Sequence, residues 1–417
     1  MKPGYKQTEL GEIPIDWGVD ALGKHASFRT GPFGSALHKS DYIKDGVPVI
    51  NPMHIVDGEI LPTSAMTVTE NAANALAEFR LQEGEIIIGR RGDMGRCAVV
   101  QRHQAGWLCG TGSMIIRCSD FDPNFLQRVL SSDVAISAIV NGSVGTTMVN
   151  LNQGSLSRLK VQYPPISEQS SIANALADVD ALLAVQDALI AKKRAIKQGA
   201  MRALLTGKRR LPGFSGDWGA VRLGELGLIY GGLAGKSKRD FAQGSAQYVP
   251  FVSVVANVVV DINALENVDV SFGESQNLVL KGDLLFNGSS ETPEEVALCA
   301  LVADDVENLY LNSFCFGFRL KERDRAHGLF LSYYMRSQVG RDLVKSLAQG
   351  STRYNISKSA FLDSLLMLPG AKEQVAIANV LSDMDAEIAA LQQQRDKTAQ
   401  LKQGMMQQLL TGRIRLI

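Results

Sequence analysis

The stretch KQGAMRALLTGKRRL, from Lys197, returns as KQGMMQQLLTGRIRL, from Lys402, at a fixed offset of 205 residues. The similarity runs back without a gap, since EQSSIANALADVDALLAVQDALIAKKRAIKQG, from Glu168, aligns with EQVAIANVLSDMDAEIAALQQQRDKTAQLKQG, from Glu373. Proline precedes both copies, at Pro164 and Pro165 and at Pro369. A repeat this long restricts the chain to a duplicated plan in which the same element closes each half.

Both copies have helical spacing. In the second, Ile377, Leu381, Met384, Ile388 and Leu391 recur at alternating four and three, and Ile172, Leu176, Val179, Leu183 and Gln186 take the matching places in the first. This is the a/d seam of a coiled coil, wide enough for one partner helix. A helix from Glu168 to Leu205 would be a rod of about 57 Å, too long for the core helix of one small domain. Gly207 and Gly412 stand where a helix end wants glycine, with lysine and arginine nearby to suit the dipole. The seam residues Ile172, Leu176, Val179 and Leu183 are expected to pack against Ile377, Leu381, Met384 and Ile388. Leu204, Leu205, Leu409 and Leu410 remain at the rod ends for a partner or a globular domain to cover.

The segments between the rods echo each other more faintly. IDWGVDALGK at Ile15 resembles GDWGAVRLGE at Gly216, EGEIIIGRRG at Glu83 resembles KGDLLFNGSS at Lys281, and NGSVGTTMVN at Asn141 resembles QGSTRYN at Gln349. The frames match while the decorations differ. Short strands are expected at Val47 to Ile50, Glu85 to Ile88, Met114 to Arg117, Tyr248 to Val255, Asp283 to Phe286 and Phe314 to Arg319, with helices near Pro123 to Val140 and His327 to Leu347. The expected fold is α+β: two globular α/β domains, residues 1–165 and 212–370, separated by two long helices, 166–211 and 371–417, packed as an antiparallel coiled coil.

Composition narrows the function. Lysine plus arginine equals aspartate plus glutamate at 43 each, so no overall field draws the chain to a polyanion, and any such site must be a local cluster. The five cysteines show no C-x-x-C pair and no metal-ligand spacing, which reads as reduced thiols in a cytoplasmic protein. The N-terminus lacks the apolar stretch of a signal peptide. The most apolar run, Tyr248 to Val260, is 13 residues, short of the roughly 20 a membrane helix needs, and reads as a buried strand.

A duplicated frame with divergent loops suits a reader of two different things at a fixed distance, such as an asymmetric two-part DNA site. The order of elements, the P-P-x-x-E-Q entry at Pro164 to Gln169 and the L-L-T-G exits resemble the DNA specificity subunit of type I restriction-modification enzymes, over essentially the whole chain. FRTGPFGSALHKSDYIKDGVPVI at Phe28 looks like the start of that family's target-recognition domain, and IIIGRRGDMGRCAVV at Ile86 like its central strand-loop-strand. GSVGTTMVNLNQGSL at Gly142 and GSTRYNISKSAF at Gly350 resemble its closing segment. The second half departs from the pattern, with PGAKEQ for PPISEQ and NGSSETPEEVA for GRRGDMGR.

The resemblance implies a cytoplasmic subunit without catalysis, metal or cofactor of its own. It would read two half-sites of double-stranded DNA and bridge two adenine-methylating subunits, to which DNA-translocating nuclease subunits attach. Those partners would use S-adenosylmethionine, ATP and magnesium. The absence of a G-x-x-x-x-G-K-[ST] phosphate loop agrees with this.

Base reading needs donors and acceptors on exposed loops, and phosphate anchoring needs cations, hydroxyls or free N–H groups. The candidates in the first half are Arg29, His38, Lys39 and Ser40 on one glycine-rich loop, Arg90, Arg91 and Arg96 on another, and Thr146, Thr147 and Asn150 on the closing loop. In the second half they are Lys236, Lys238 and Arg239, with Arg353 and Tyr354. Each has a plainer reading: Arg90, Arg91 and Arg96 could be a solvated hairpin tip, His38 a polar surface residue, and Thr146, Thr147 and Asn150 a turn. Lys192, Lys193, Arg194 and Lys197 could touch phosphate or an acidic partner, or form a solvated face. Two other functions stay open: a coiled-coil adaptor without a DNA-reading role, and an enzyme with its site between the halves, which lacks a recognisable nucleophile or metal cluster.

Overall fold

The computed structural model describes residues 3–32, 36–92, 94–141, 150–322 and 325–417. The chain divides into two compact units, Met1–Asp187 with Gln394–Ile417, and Ala188–Gln393. The cuts fall at Ala188 and Gln393, which are each other's counterpart at the 205-residue offset. Each unit therefore holds one α+β globular domain and a stretch of both long helices, Ile166–Leu204 and Ala371–Leu409.

In the first unit a four-stranded antiparallel sheet has the order Cys97–Val99, Ile86–Gly89, Ser113–Cys118, Ala26–Thr30. Ile86, Ile87 and Ile88 are all buried, so this strand is covered on both faces. Ile86 and Ile88 join Met114, Ile116, Trp17 and Leu126 in one apolar cluster, and Ile87 joins Ile50, Ile55 and Ile115 in another. That alternation is the period-two rule of a strand, and each such side chain contributes about 1.5–3 kcal/mol on burial. A second sheet carries Val47–Ile50 parallel to Leu108–Cys109, and Gly18–Ala21 pairs with Lys160–Tyr163 to lead the chain into the first long helix.

The second unit repeats this order. Its four-stranded sheet runs Cys299–Leu301, Leu284–Asn287, Cys315–Leu320, Gly227–Gly231. Phe241–Val249 lies parallel to Leu309–Leu311, and Gly219–Arg222 pairs with Leu365–Leu368. Leu284 and Phe286 enter one cluster with Phe316 and Phe318, while Leu285 enters another with Val249 and Val254. The expected strand from Tyr248 to Val255 is corrected: it stops at Val249, and Phe251–Ala256 is a short helix. Pro250 has no N–H to continue the ladder, and Val252 is 72% exposed, so the run Tyr248 to Val260 is not a wholly buried strand.

The repeated E-Q and L-L-T-G motifs explain how globular domain and helices join. In the first unit Arg415 donates a fork to Glu168, which is 4% exposed and also receives the Trp17 indole N–H at 3.2 Å. In the second, Arg210 makes the same fork to Glu373, which is 2% exposed. Gln169 donates to the Pro164 carbonyl and accepts from the Asp122 N–H, while Gln374 donates to Pro369 and accepts from the His327 N–H. Each glutamine thus ties the start of a long helix to the start of a helix in the globular domain. Gly412, at φ +68°, lies so close that a Cβ would meet Pro14 at 2.6 Å.

Within each unit the two helices run antiparallel. Asp180 pairs with Lys402 at 2.6 Å and Gln186 donates to Thr398 in the first, and Lys193 with Glu387 and Lys197 with Asp385 in the second. The expected packing of Ile172 and its neighbours against Ile377 and its neighbours is corrected accordingly. Ile172 and Leu176 share a cluster with Leu409 and Leu410, and Ile377 and Leu381 share one with Met201, Leu204 and Leu205. Val179, Leu183 and Met384 are half-buried and Ile388 is buried. The leucines at the rod ends are thus core of the globular domains. Among the described residues no helix is long and apolar enough to cross a membrane.

Candidate nucleic-acid interface

Three backbone hydrogen bonds gather the glycine-rich loops of the first unit at one edge. Gly31 N–H donates to Ser113, Arg90 N–H to Gly112 at 2.9 Å, and Leu151 N–H to Arg90 at 2.9 Å. The Gln153 amide reaches the Thr30 hydroxyl at 3.0 Å, and Gly112 N–H donates to the Asn51 side chain. A Cβ at Gly110 would fall 2.4 Å from that Asn51 oxygen, so a larger residue there would push the Asn51 side chain away. The second unit makes the same three bonds at the equivalent places: Gly232 N–H to Cys315, Gly288 N–H to Phe314 at 2.8 Å, and Ile356 N–H to Gly288 at 3.3 Å.

Upon this common edge the side chains differ. Arg90 is half-buried and its Nε donates to the Leu151 carbonyl at 3.0 Å. Burial, and then the neighbouring Arg91, lower its pKa. Arg90 is thus a clasp between loops, while Arg91 is exposed beside Gly92, at φ +79°. Arg96 is half-buried. Asn150 sits next to the Leu151 clasp with its side-chain oxygen buried and without a hydrogen-bond partner. Thr146 and Thr147 lie outside the described residues.

Arg29 pairs with Glu78 and lies 5.6 Å over the Phe79 ring, so its charge is already answered. His38 begins the turn Lys39–Asp41 and its N–H donates to Asp41; His38, Lys39 and Ser40 are all exposed. In the second unit the same turn recurs at Lys238–Asp240, displaying exposed Lys238 and Arg239. Lys236 instead pairs with Glu274 at 2.6 Å with only 9% of its side chain exposed, which fastens its loop to Ser271–Gln276. That loop carries Phe272, fully exposed. Arg353 is exposed and lies 5.3 Å over the Phe314 ring, and Tyr354 is half-buried in the strand Tyr354–Ile356.

The same loops contain further candidate residues that their sequence did not single out. Phe314, Asn355 and Lys358 surround a cavity beside Gly288, and Asn51 and Gln153 brace the first unit's edge. Asn355 and Lys358 stand in the same GSTRYNISKSAF segment that supplied Arg353, so the polar content of that segment was the signal. On the helices, Lys193 and Lys197 are committed to Glu387 and Asp385, whereas Lys192 and Arg194 are exposed.

The family model for the type I restriction modification DNA specificity domain matches this chain twice, over residues 15–192 and 215–402. The chain belongs to that family. Specificity subunits of this family are the non-catalytic components of type I restriction enzymes. A Methanocaldococcus jannaschii homologue assigned to the MjaX type I restriction enzyme is 25% identical, over 99% of this chain and 97% of its own length. The EcoKI specificity subunit of Escherichia coli is 22% identical, over 97% and 90%. The crystal structure of the type I restriction-modification S subunit from M. genitalium shares the fold, with TM-score 0.56, 14% identity, and 98% and 99% of the two chains covered. Both family matches include a globular domain and most of the long helix that follows it, in keeping with the repeat.

Proposed function

We propose that this specificity subunit reads a bipartite, asymmetric DNA site, with the globular domain of residues 1–165 on one half-site and that of residues 212–370 on the other. The helical segments within 166–211 and 371–417, Ile166–Leu204 and Ala371–Leu409, set the spacing between half-sites and recruit two methyltransferase subunits, through which DNA-translocating nuclease subunits join. The observation that carries the reading is the common edge: three equivalent backbone bonds bring the same loops together in each unit, under different side chains. That is what two readers of unlike sequences on one frame require. S-adenosylmethionine, ATP and magnesium belong to the partners' chemistry.

Within this reading the exposed side chains of His38, Lys39, Arg91, Lys238, Arg239 and Arg353 are the direct DNA contacts, and Ser40, Arg96, Tyr354, Thr146, Thr147 and Asn150 are further candidates for contact. Arg29, Arg90 and Lys236 hold loops in place. With an equal number of positive and negative residues in the chain, affinity arises from these local clusters and is sensitive to salt. Duplex affinity of the assembled methyltransferase should fall linearly on a log–log plot against salt, with slope about −0.9 per phosphate contacted. An affinity independent of salt, or equal affinity for every sequence, contradicts the proposal.

A further inference from the structure

Arg90 and Gly288 occupy equivalent places, each donating its N–H across the same edge and accepting from the closing loop. Where the first unit has an arginine side chain, the second has none, and a cavity of about 280 Å³ opens beside Gly288. Phe314 and Phe316 form its apolar wall, and Phe314 remains 55% exposed. Its polar lining consists of Ser289, Ser313, Asn355 and Lys358. Asn355 and Lys358 are exposed, and the Ser289 hydroxyl is buried without a hydrogen-bond partner. Lys358 Nζ lies 5.9 Å over the Phe316 ring.

These groups share one chemistry. The ammonium offers donors only, and the amide and the hydroxyls can donate, so the lining suits an acceptor-rich edge. The phenylalanine wall suits apolar C–H groups at a base edge, such as the C8–H beside a purine N7. A buried hydroxyl without a partner costs free energy that an incoming acceptor recovers. In duplex DNA the major-groove edge of a purine presents N7 as an acceptor, joined by O6 in guanine, and lysine and asparagine are residues that bind such edges. A phosphate would meet the lysine equally well but would have no use for the aromatic wall.

We infer that this cavity is the second unit's specificity-determining site for a purine, with Lys358 and Asn355 donating to its N7 edge and Phe314 bearing on the base. The inference rests on the half-site reading above. The first unit, with Arg90 in the equivalent space, reads its half-site by other residues.

The test uses the full chain assembled with its methyltransferase and a duplex carrying the recognition sequence deduced from its methylated sites. Each purine of the second half-site is replaced in turn by its 7-deaza analogue, which keeps base pairing and removes the N7 acceptor. One replacement should weaken binding about 10- to 100-fold, the range of a good base contact, and Lys358→Met or Asn355→Ala should abolish that sensitivity. Both side chains are exposed, and an unchanged thermal transition confirms that the variants fold. Sensitivity unchanged in both variants overturns the inference. So does a uniform loss of affinity on all sequences, which marks a phosphate contact instead. If the wild-type assembly methylates no split site at all, the half-site reading itself fails, and that result is separate from these.

Discussion

At one crossing in each unit an equivalent backbone bond joins different residues: Arg90 to Gly112 in the first, Gly288 to Phe314 in the second. The large side chain changes strands while the crossing stays. In the first unit the arginine is turned inward and spent on the Leu151 carbonyl, and in the second the phenylalanine stands half out of the surface under Arg353. The frame is fixed by main-chain bonds and by the buried strands beneath, so side chains at its edge can be exchanged without disturbing the sheet. That is the physical condition for changing specificity while keeping a fold.

The junctions with the long helices show a second contrast. Glu168 holds Arg415 and also takes the Trp17 indole and the Leu416 N–H, whereas the indole of Trp218, the counterpart of Trp17, has no hydrogen-bond partner. Removing the arginine strands a buried carboxylate, which costs about 3–5 kcal/mol when nothing else answers the charge. Arg210→Ala should therefore lower the stability of the second unit in urea unfolding, the largest loss expected of these changes. Arg415→Ala should lower the first by less, because two donors stay on Glu168. Equal losses would remove this distinction between the units.

A smaller effect separates the two sides of the crossing. Arg90→Ala should cost about 1.5–3 kcal/mol, the worth of a hydrogen bond from a charged donor to a partly buried carbonyl. Phe314→Ala, at an exposed position, should stay within about 0.5 kcal/mol and be felt in DNA binding alone. A large loss of stability from Phe314→Ala would make that ring core and not surface. Smaller again, Arg91→Ala should leave unfolding unchanged and reduce the salt slope of DNA binding by about one, as expected of a single phosphate contact.

The units should be alike in their thiols. Burial pushes Cys97 up to about 11, and Cys299 and Cys315 up to about 12. Their thiolate forms are absent at neutral pH in the folded protein, so a disulfide reagent at pH 8 should modify none of the three until the chain is unfolded. Rapid labelling of one unit only would show that its core opens.

The duplication was legible because the helices carry both identity and heptad spacing over their length. Their antiparallel sense was expected as well, but which seam residues face which was not. An a/d seam says which face is buried, and Ile172 would look the same opposite Ile377 as beside Leu409 and Leu410, where it lies. The run from Tyr248 misled because β-branched residues outweighed Pro250, which ends the strand. At the edge, cation content does not distinguish a side chain left exposed from one already paired. Arg29 and Lys236 are paired with Glu78 and Glu274, which lie 49 and 38 residues away in the chain. No local pattern announces such partners.

The central claim is that two readers on one frame recognise two unlike half-sites. The most direct measurement maps methylated adenines in DNA exposed to the assembled methyltransferase, first with this chain and then with one globular domain replaced by that of a family member of different specificity. The account predicts a split motif, two short specified blocks at a fixed separation, in which replacing residues 1–165 rewrites one block and replacing 212–370 rewrites the other. A continuous motif, or a motif in which either replacement alters both blocks, would contradict it.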